Sequence, residues 1–239
     1  MKFQTLLRWL VCTVVLVTAG CAGPAVAPPR PMHLVIVGDS TVCNWPLSDP
    51  LHRSGWGMHI QSYFQPGLTV SNLAASGRST KTFITEGRWA KALAEKPDVV
   101  LIQFGHNDSH VATNPEATSA TGDFRDYLRR YIDDTRDSGG VPVLVTPMCR
   151  RTATDNLVPY ADAMKAVAAE KKVALIDLHA ASATLYAELG DRVNSLAANL
   201  ASGQPDPTHF NADGARAMAR LVMDRLPDAV PALRPLLRP

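Results

Sequence analysis

The chain has 239 residues, of which 46% are hydrophobic, enough to build one packed domain. This composition excludes a disordered chain and a miniprotein held together by disulfides. The chain carries 24 basic and 22 acidic residues, and two of the bases, Lys2 and Arg8, lie in the first 20 residues, which hold no acid. The remainder is formally neutral and has no long block of consecutive bases, so we expect no nucleic-acid partner.

Residues 1–20 have the layout of a secretory signal peptide: a basic start, an apolar run over 10–17 and then small residues. The apolar run is too short to form a permanent transmembrane helix. The segment Thr18-Ala19-Gly20-Cys21 resembles a bacterial lipobox, in which cleavage exposes the cysteine and its thiol is lipidated. The resemblance implies an exported lipoprotein of the cell envelope, in the periplasm or on the cell surface, anchored to a membrane through Cys21. Cleavage near 25–27 by an ordinary signal peptidase is the alternative.

Residues 21–31 are rich in Pro and Ala and have no periodicity, which predicts an extended tether that rises by about 3.1 Å per residue. A disordered N-terminus is the alternative, and both interpretations place the start of the fold near Met32. We therefore expect a folded domain over 32–226. A Pro-rich tail over 227–239 follows, and it either packs on the domain or stays loose.

Five short apolar runs predict buried strands, at 33–37, 68–73, 98–104, 141–146 and 173–178. Continuous runs rich in Val and Ile are typical of strands that are buried on both faces, as in a parallel sheet. Amphipathic helical patterns separate these runs. The clearest is expected to begin at Asp123 as its N-cap and to end at Gly139 and Gly140.

The other predicted helices occupy 54–64, 85–96, 157–171, 180–189 and 211–226. Strands that alternate with helices in this way form βαβ units with helices on both faces of the sheet. The sequence therefore predicts an α/β fold: a three-layer α/β/α sandwich around a five-stranded parallel sheet.

Polar residues follow the predicted strands at the edge where open α/β sheets bind ligands, the carboxyl ends of the strands. Ser40 follows Gly38 and Asp39 on a tight turn that would expose a nucleophilic hydroxyl. His209 lies just before the last predicted helix, and an imidazole can accept the serine proton at neutral pH. Asp206, three residues earlier, is close enough to fix the tautomer of that ring. These are the residue types that a serine esterase needs.

Ester hydrolysis also needs donors for the negative charge that develops on the carbonyl oxygen. The backbone amides of Ser40 and Gly77 and the side-chain amide of Asn107 offer three donors from three different loops. We therefore expect these residues to form an oxyanion hole.

Other side chains near the strand ends have structural interpretations. His106, Asp108 and His110 alternate in one loop, and alternate loop residues rarely converge on a metal ion. We therefore expect no catalytic metal and no cofactor, with His106 packed behind the oxyanion loop. Cys43 and Cys149 lie beyond two predicted strands at the same end of the sheet, where they form either a disulfide or two buried free thiols.

These residues stand in blocks that resemble those of the SGNH (GDSL) hydrolase superfamily, and most closely its rhamnogalacturonan acetylesterase branch. The resemblance runs in the right order over about 34–221. The blocks are Gly38-Asp39-Ser40-Thr41, Gly55-Trp56-Gly57, Asn72-Leu73-Ala74-Ala75-Ser76-Gly77-Arg78-Ser79-Thr80, Gln103-Phe104-Gly105-His106-Asn107-Asp108, Thr146-Pro147-Met148-Cys149-Arg150-Arg151 and Asp206-Pro207-Thr208-His209-Phe210.

The resemblance implies a flavodoxin-like fold in which Ser40 is the nucleophile, Asp206 and His209 complete the triad, and Gly77 and Asn107 complete the oxyanion hole. It further implies removal of acetyl groups from carbohydrate, with acetylated pectin-type polysaccharide or oligosaccharide as the leading substrate. We also expect the protein to be a monomer. The alternatives are an esterase or lipase of the same superfamily that acts on other small acyl esters, and a surface lipoprotein that binds glycans without catalysis.

Two groups of side chains have open roles in such a site. Arg150 and Arg151 either line the substrate cleft, where they would donate to a saccharide or uronate, or are solvated surface residues. The three tryptophans either stack on sugars or belong to the core: Trp45, Trp56 and Trp89.

Overall fold

The computed structural model describes residues 30–239 and contains a five-stranded parallel sheet in the order β2-β1-β3-β4-β5. The signal segment, both proposed cleavage sites and most of the predicted tether lie outside the described residues. The strands are β1 (Met32–Gly38), β2 (Leu68–Asn72), β3 (Val99–Gln103), β4 (Val141–Val145) and β5 (Ala174–Ile176).

The two faces of the sheet build two separate cores, because successive residues of a strand point to opposite faces. In β1, Leu34 and Ile36 pack into one core while Val35 and Val37 pack into the other, and all four are fully buried. β3 is buried along its whole length. Burial on both faces explains the continuous apolar runs of these strands and confirms the predicted three-layer α/β/α sandwich.

One core is covered by the helices that lie between β2 and β5 in the chain, which are α1 (Thr80–Thr85), α2 (Arg88–Ala94), α3 (Asp123–Asp137) and α4 (Val158–Lys171). The other core is covered by a 3₁₀ helix, Trp56–Tyr63, and by the C-terminal helices, which are α5 (Leu178–Leu189), α6 (Ala212–Met223) and α7 (Leu226–Ala229).

The helices differ from the sequence prediction in three places. The predicted helix at 54–64 is 3₁₀, and the predicted helix at 85–96 is the shorter α2, preceded by α1 and separated from it by Gly87 with φ of 73°. α1 begins at a capping box formed by Ser79 and Thr82, a local signal that its short apolar pattern did not reveal. In α3 the N-cap is Gly122, while Asp123 stands one position later and accepts from the Ser119 amide at 2.6 Å.

A small antiparallel hairpin, β6 (Ala197–Asn199) and β7 (Pro205–Phe210), was not predicted. Two prolines and no alternation of apolar and polar residues hide β7 in the sequence. The hairpin is joined to the body where the Ser54 amide donates to the Phe210 carbonyl at 2.7 Å. This contact fixes the segment that carries Asp206 and His209 against the main domain.

The C-terminal tail packs on the domain. It forms α7 and a 3₁₀ helix, Pro231–Leu236, whose Leu233 and Leu236 are buried in the second core. The Gln65 amide donates to the Leu236 carbonyl at 2.8 Å, and the Arg238 amide donates to the Tyr63 carbonyl at the same distance. Over residues 30–239, no helix combines the length and the apolar character that a membrane crossing requires.

Candidate active site

Ser40 lies on the turn that leaves β1, at the carboxyl end of the central sheet. The turn passes very close to β3, because a Cβ atom at Gly38 would stand 2.7 Å from the Gln103 carbonyl oxygen. Only glycine permits this approach. The indole Nε1 of Trp45 donates to the Ser40 carbonyl at 2.9 Å and holds the turn from the other side.

The hydroxyl of Ser40 meets a histidine and an aspartate from the hairpin. Ser40 Oγ lies 2.9 Å from His209 Nε2, and His209 Nδ1 lies 2.8 Å from Asp206 Oδ2. Asp206 Oδ1 accepts from the amides of Thr208 at 2.7 Å and His209 at 3.0 Å. Burial alone would raise the pKa of Asp206, but these hydrogen bonds, above all that of the His209 ring, lower it to about 2. The carboxylate is therefore ionised at neutral pH and fixes the hydrogen of His209 on Nδ1.

Arg151 does not line the cavity but holds the hairpin segment with Asp206 and His209 in place, a contact hereafter called the Arg151 clamp. Its Nη2 donates to the carbonyls of both Asp206, at 2.8 Å, and His209, at 2.6 Å. The Nε and Nη1 atoms are buried without a hydrogen-bond partner among residues 30–239, and the guanidinium lies 4.4 Å above the centre of the Phe210 ring. A cation over an aromatic face compensates part of the cost of these unpaired donors.

A cavity of about 230 Å³ opens beside the Ser40 hydroxyl. Its walls are Ser40, Ser76, Gly77, His106, Asn107, His110, Arg150, Thr208 and His209. The amide hydrogens of Ser40 and Gly77 bond to none of the described residues. Asn107 Nδ2 donates one hydrogen to the Arg78 carbonyl at 3.0 Å, which orients the amide and leaves its second hydrogen for the cavity. All three predicted oxyanion donors therefore border the same space.

Asp108 ties the loop after β3 to the start of α1. Its carboxylate accepts from the Thr80 amide at 3.1 Å and from the hydroxyls of Thr80 and Thr118. Complete burial raises the pKa of Asp108 to about 7. This side chain is fully buried and is not part of the cavity wall.

The structure also shows the state of the two cysteines and of the residues considered as metal ligands. Cys43 and Cys149 are free thiols, and burial raises the pKa of Cys43 to about 12 and that of Cys149 to about 11. Within the part of the chain that the structure describes, no three His, Cys, Asp or Glu side chains converge as a metal ion would require. His110 pairs instead with Glu116, at 2.6 Å.

The arginines and tryptophans divide between the site and the core. Arg150 lines the cavity, and its Nε donates to Asn156 Oδ1 at 2.8 Å. Arg151 does not line the cavity. Trp56 and Trp89 are buried in the cores. Trp45 stands beside the site, with its ring centre 6.0 Å from that of His209 in an edge-on arrangement.

The family model of the GDSL-like lipase/acylhydrolase family matches residues 36–217, which is most of the chain and spans all the residues of the site. The chain belongs to this family. The match confirms the resemblance drawn from the sequence blocks and identifies the protein as a carboxylic ester hydrolase.

This GDSL-like hydrolase is similar to proteins of known name over most of its length. It is 35% identical to a probable rhamnogalacturonan acetylesterase of Bacillus subtilis over 80% of this chain and 90% of that protein. It is 36% identical to a second rhamnogalacturonan acetylesterase of the same organism over 82% of this chain and 89% of that one.

Solved structures share the fold. A Bacillus subtilis protein has a TM-score of 0.67 at 28% identity, over 87% of this chain and 57% of that one. An acetylxylan esterase from Geobacillus stearothermophilus has a TM-score of 0.64 at 19% identity, over 84% of this chain and 96% of that one. The second likeness extends to the fold alone.

Two features of the hydrolase site were not foreseen in the sequence analysis. The contact of Arg151 with the hairpin carbonyls depends on the path of the hairpin, which was not predicted. His106 is buried, in keeping with the packed histidine that was expected, and it also lines the cavity. Only the Arg150-Arg151 pair within a matching block pointed toward the first of these, and nothing local distinguished the two arginines.

Proposed function

We propose that this protein is a serine esterase that removes acetyl groups from carbohydrate by acyl transfer through Ser40, His209 and Asp206. The observation that carries the proposal is the continuous relay from Ser40 Oγ through both ring nitrogens of His209 to the Asp206 carboxylate, at 2.9 and 2.8 Å. These distances lie within the range of nucleophile and base contacts in acyl-transfer enzymes, about 2.6–3.2 Å.

The reaction proceeds in two steps through one acyl-enzyme. His209 Nε2 accepts the Ser40 proton as Oγ bonds to the ester carbonyl carbon, and the carbonyl π electrons move to oxygen. When the oxyanion collapses, the bond to the sugar oxygen breaks and His209 returns the proton to that oxygen. Water then attacks the acetyl-enzyme with the same base, releasing acetate and restoring the serine. Throughout, Asp206 stabilises the transient imidazolium without taking its proton.

The oxyanion is held by the amides of Ser40 and Gly77 and by the free hydrogen of the Asn107 side chain. Contacts outside the cavity hold these donors in place before the reaction: the Arg78 carbonyl holds the Asn107 amide, the close approach of Gly38 to β3 holds the Ser40 turn, and a backbone hydrogen bond from Arg78 to Ala75 closes the turn around Gly77. A left-handed φ of 77° at Gly77 supports this arrangement, since a residue with a side chain would be strained there.

The shape and polarity of the site support a short acyl group on a polar alcohol. A cavity of about 230 Å³ with three histidines, an arginine and an asparagine in its wall suits an acetylated sugar better than a long acyl chain. A second hollow of about 500 Å³ has Trp45 in its wall and is lined by both apolar side chains, such as Leu47 and Met58, and polar ones, such as Arg53 and Asn199. The names of the two Bacillus relatives support pectin-type carbohydrate as the class of substrate.

The test is acetate release from a panel of acetylated pectin, acetylated xylan, acetylated peptidoglycan and p-nitrophenyl esters of increasing chain length. We expect release from pectin-type substrates and a steep fall in p-nitrophenyl ester hydrolysis beyond short chains. A preference for long acyl chains would contradict the proposal and favour a lipase.

A fluorophosphonate probe tests the nucleophile and excludes or supports a non-catalytic glycan binder. We expect labelling of the native protein and of Ser76→Ala, a second serine in the same cavity wall, and no labelling of Ser40→Ala. Absence of label on folded native protein would favour the binder.

We propose further that the enzyme is exported and anchored by a lipid on Cys21, and that it acts as a monomer. Palmitate labelling of the native chain, compared with Cys21→Ser, tests the anchor; equal labelling would reject it and favour cleavage near 25–27. Light scattering of the purified domain tests the monomer.

A further inference from the structure

A second imidazole faces the cavity in which the proposed reaction takes place. His106 follows β3, and its side chain is almost fully buried, yet it forms part of the wall that also contains Ser40 and His209. Its Nδ1 is sealed from solvent and lies 3.4 Å from Asp39 Oδ2, an electrostatic contact without the alignment of a full hydrogen bond. The proposed acyl transfer gives this ring no role.

Asp39 is surrounded by donors and acts only as an acceptor. Its Oδ1 accepts from the Thr41 amide at 2.9 Å and the Thr41 hydroxyl at 2.7 Å, and its Oδ2 accepts from Gln103 Nε2 at 3.3 Å. The amide of Gln103 cannot be turned around, because Trp56 Nε1 donates to its oxygen at 2.9 Å. Burial would raise the pKa of Asp39, but the His106 ring and the Thr41 donors outweigh burial and lower it. The buried carboxylate is therefore ionised.

The charge of Asp39 decides which nitrogen of His106 carries the hydrogen. Burial lowers the pKa of His106, against the opposing effect of Asp39, so the ring is neutral at neutral pH. A neutral imidazole has one N–H and one lone pair. Because Nδ1 faces an anion, the hydrogen lies there, and Nε2 keeps the lone pair.

Nε2 is an acceptor without a partner. It makes no hydrogen bond to any of residues 30–239, and it is not sealed from solvent as Nδ1 is. The ring has little room to turn, because its side chain is only 4% exposed, and the backbone of His106 is held by hydrogen bonds that its carbonyl accepts from Ser109 Oγ at 3.0 Å and Arg150 Nη2 at 3.4 Å. The accessible lone pair of Nε2 therefore borders the cavity beside Ser40.

We propose that His106 Nε2 accepts a hydrogen bond from a free hydroxyl beside the acetylated oxygen, so that the enzyme selects monoacetylated vicinal diols. This role rests on the proposed function, since it assigns a sugar hydroxyl to the same cavity. In the proposed reaction His209 exchanges the serine proton and Asn107 donates to the oxyanion. The acceptor of His106 is therefore available to the hydroxyl beside the acetylated oxygen. A ligand without that hydroxyl would remove Nε2 from water without donating a hydrogen bond to it. The unsatisfied acceptor would disfavour such a ligand relative to one that carries the hydroxyl.

The test compares the hydrolysis of two sugar substrates by the native protein and by variants that remove or replace the Nε2 atom of His106. The sugars are a methyl glycoside monoacetate with a free hydroxyl on the adjacent carbon and the same monoacetate with that hydroxyl replaced by hydrogen. We expect native kcat/KM to favour the hydroxyl compound by about 10- to 100-fold. In His106→Asn, whose amide can still donate to Asp39 but has no atom at the Nε2 position, we expect this ratio to fall below about threefold. His106→Gln places an amide oxygen near the position of Nε2 and should recover part of the ratio.

The ratio separates recognition from structural damage, because a distorted site slows both sugars equally. His59→Gln, which alters a half-buried histidine of the 3₁₀ helix Trp56–Tyr63, is the matched control and should keep the native ratio. Equal native rates on the two sugars, or an unchanged ratio in His106→Asn, would overturn this role alone. Hydrolysis of p-nitrophenyl acetate together with no release from either sugar would overturn the carbohydrate substrate as well.

Discussion

Two histidine–aspartate pairs lie at one cavity. They differ in the distance between imidazole and carboxylate, in burial and in the hydrogen-bond partners of the imidazole. His209 and Asp206 stand three residues apart on one strand and approach to 2.8 Å, and the imidazole keeps about a quarter of its side chain exposed. His106 and Asp39 come from the ends of two neighbouring strands, approach only to 3.4 Å and are almost completely buried. The same two chemical groups therefore occupy two different electrostatic environments around one cavity.

The difference supports the two roles that we propose, proton transfer for His209 and recognition for His106. His209 has a hydroxyl on one nitrogen and a well-aligned carboxylate on the other, so an imidazolium formed there is stabilised at once. His106 is buried without an aligned hydrogen bond, and desolvation opposes its protonation. Hydrogen-bond alignment and solvent access distinguish the two pairs, while the identity of the residues does not.

The sharpest way to break the comparison is to change each carboxylate to an amide. In Asp206→Asn we expect kcat on p-nitrophenyl acetate to fall by about 10³–10⁴-fold, because the amide no longer requires the hydrogen of His209 on Nδ1. In Asp39→Asn we expect a fall of no more than about tenfold, with a loss of stability of about 1–3 kcal/mol, because an amide whose oxygen accepts from Thr41 turns its NH₂ group toward the donors Gln103 Nε2 and His106 Nδ1. Steady-state kinetics and thermal unfolding measure the two effects.

Equal losses of kcat in the two variants would mean that both pairs serve proton transfer. Ser76→Ala, in the same cavity wall, supplies the baseline for a change that touches neither pair.

Asn107 lines the same cavity as the two histidines, and its removal tests whether negative charge develops on the substrate oxygen beside it. We expect Asn107→Ala to lower kcat by about 10²–10³-fold with little change in KM, because the lost donor stabilises only the transition state. A rise in KM at constant kcat would instead assign Asn107 to substrate binding. Asn114→Ala, which removes an amide from the same region outside the cavity, is a suitable control.

Acid titration sharpens the comparison through Asp206, whose pKa of about 2 lies below its usual value of 3.8. A depressed carboxyl pKa contributes stability above the unfolded value and loses that stability as the pH falls through the folded value. We expect the free energy of unfolding of the native protein to lose about 2 kcal/mol from this group between pH 5 and pH 2. Urea unfolding of native protein and Asp206→Asn across this range measures it, and parallel curves would contradict the prediction.

The sequence predicted the parts of this molecule that follow from local patterns. The five strands were found because burial on both faces leaves continuous apolar runs, as in β1 and β3. Ser40, Asp206 and His209 were singled out by residue type and by family blocks, and the structure brings them within hydrogen-bond distance.

The parts that escaped prediction depend on contacts between distant segments. Two prolines hide β7, and the strand exists because it pairs with β6 and is joined to Ser54. The tautomer of His106 depends on Asp39, 67 residues earlier, and on the orientation that Trp56 gives to Gln103. A network of hydrogen bonds between such distant residues leaves no periodic pattern in the sequence from which it could be predicted.

The smallest expected effect concerns the clamp that holds the first pair in place. Arg151→Met keeps an apolar chain against Phe210 but removes the donor shared by the Asp206 and His209 carbonyls. We expect kcat to fall by about tenfold at nearly constant KM, because a displacement of the base by a fraction of an ångström weakens its contact with Ser40. Arg151→Lys retains a donor and should recover part of kcat.

The neighbouring arginine provides the contrast that makes this last result informative. Arg150 lines the cavity and contacts the hairpin through the Thr208 hydroxyl rather than through the Asp206 and His209 carbonyls, so Arg150→Met should raise KM for acetylated carbohydrate and change kcat less than Arg151→Met does. If instead Arg151→Met raises KM at constant kcat, the clamp does not control the geometry of His209. The alignment that distinguishes the first pair from the second would then come from the Asp206 turn itself, through its bonds to the amides of Thr208 and His209.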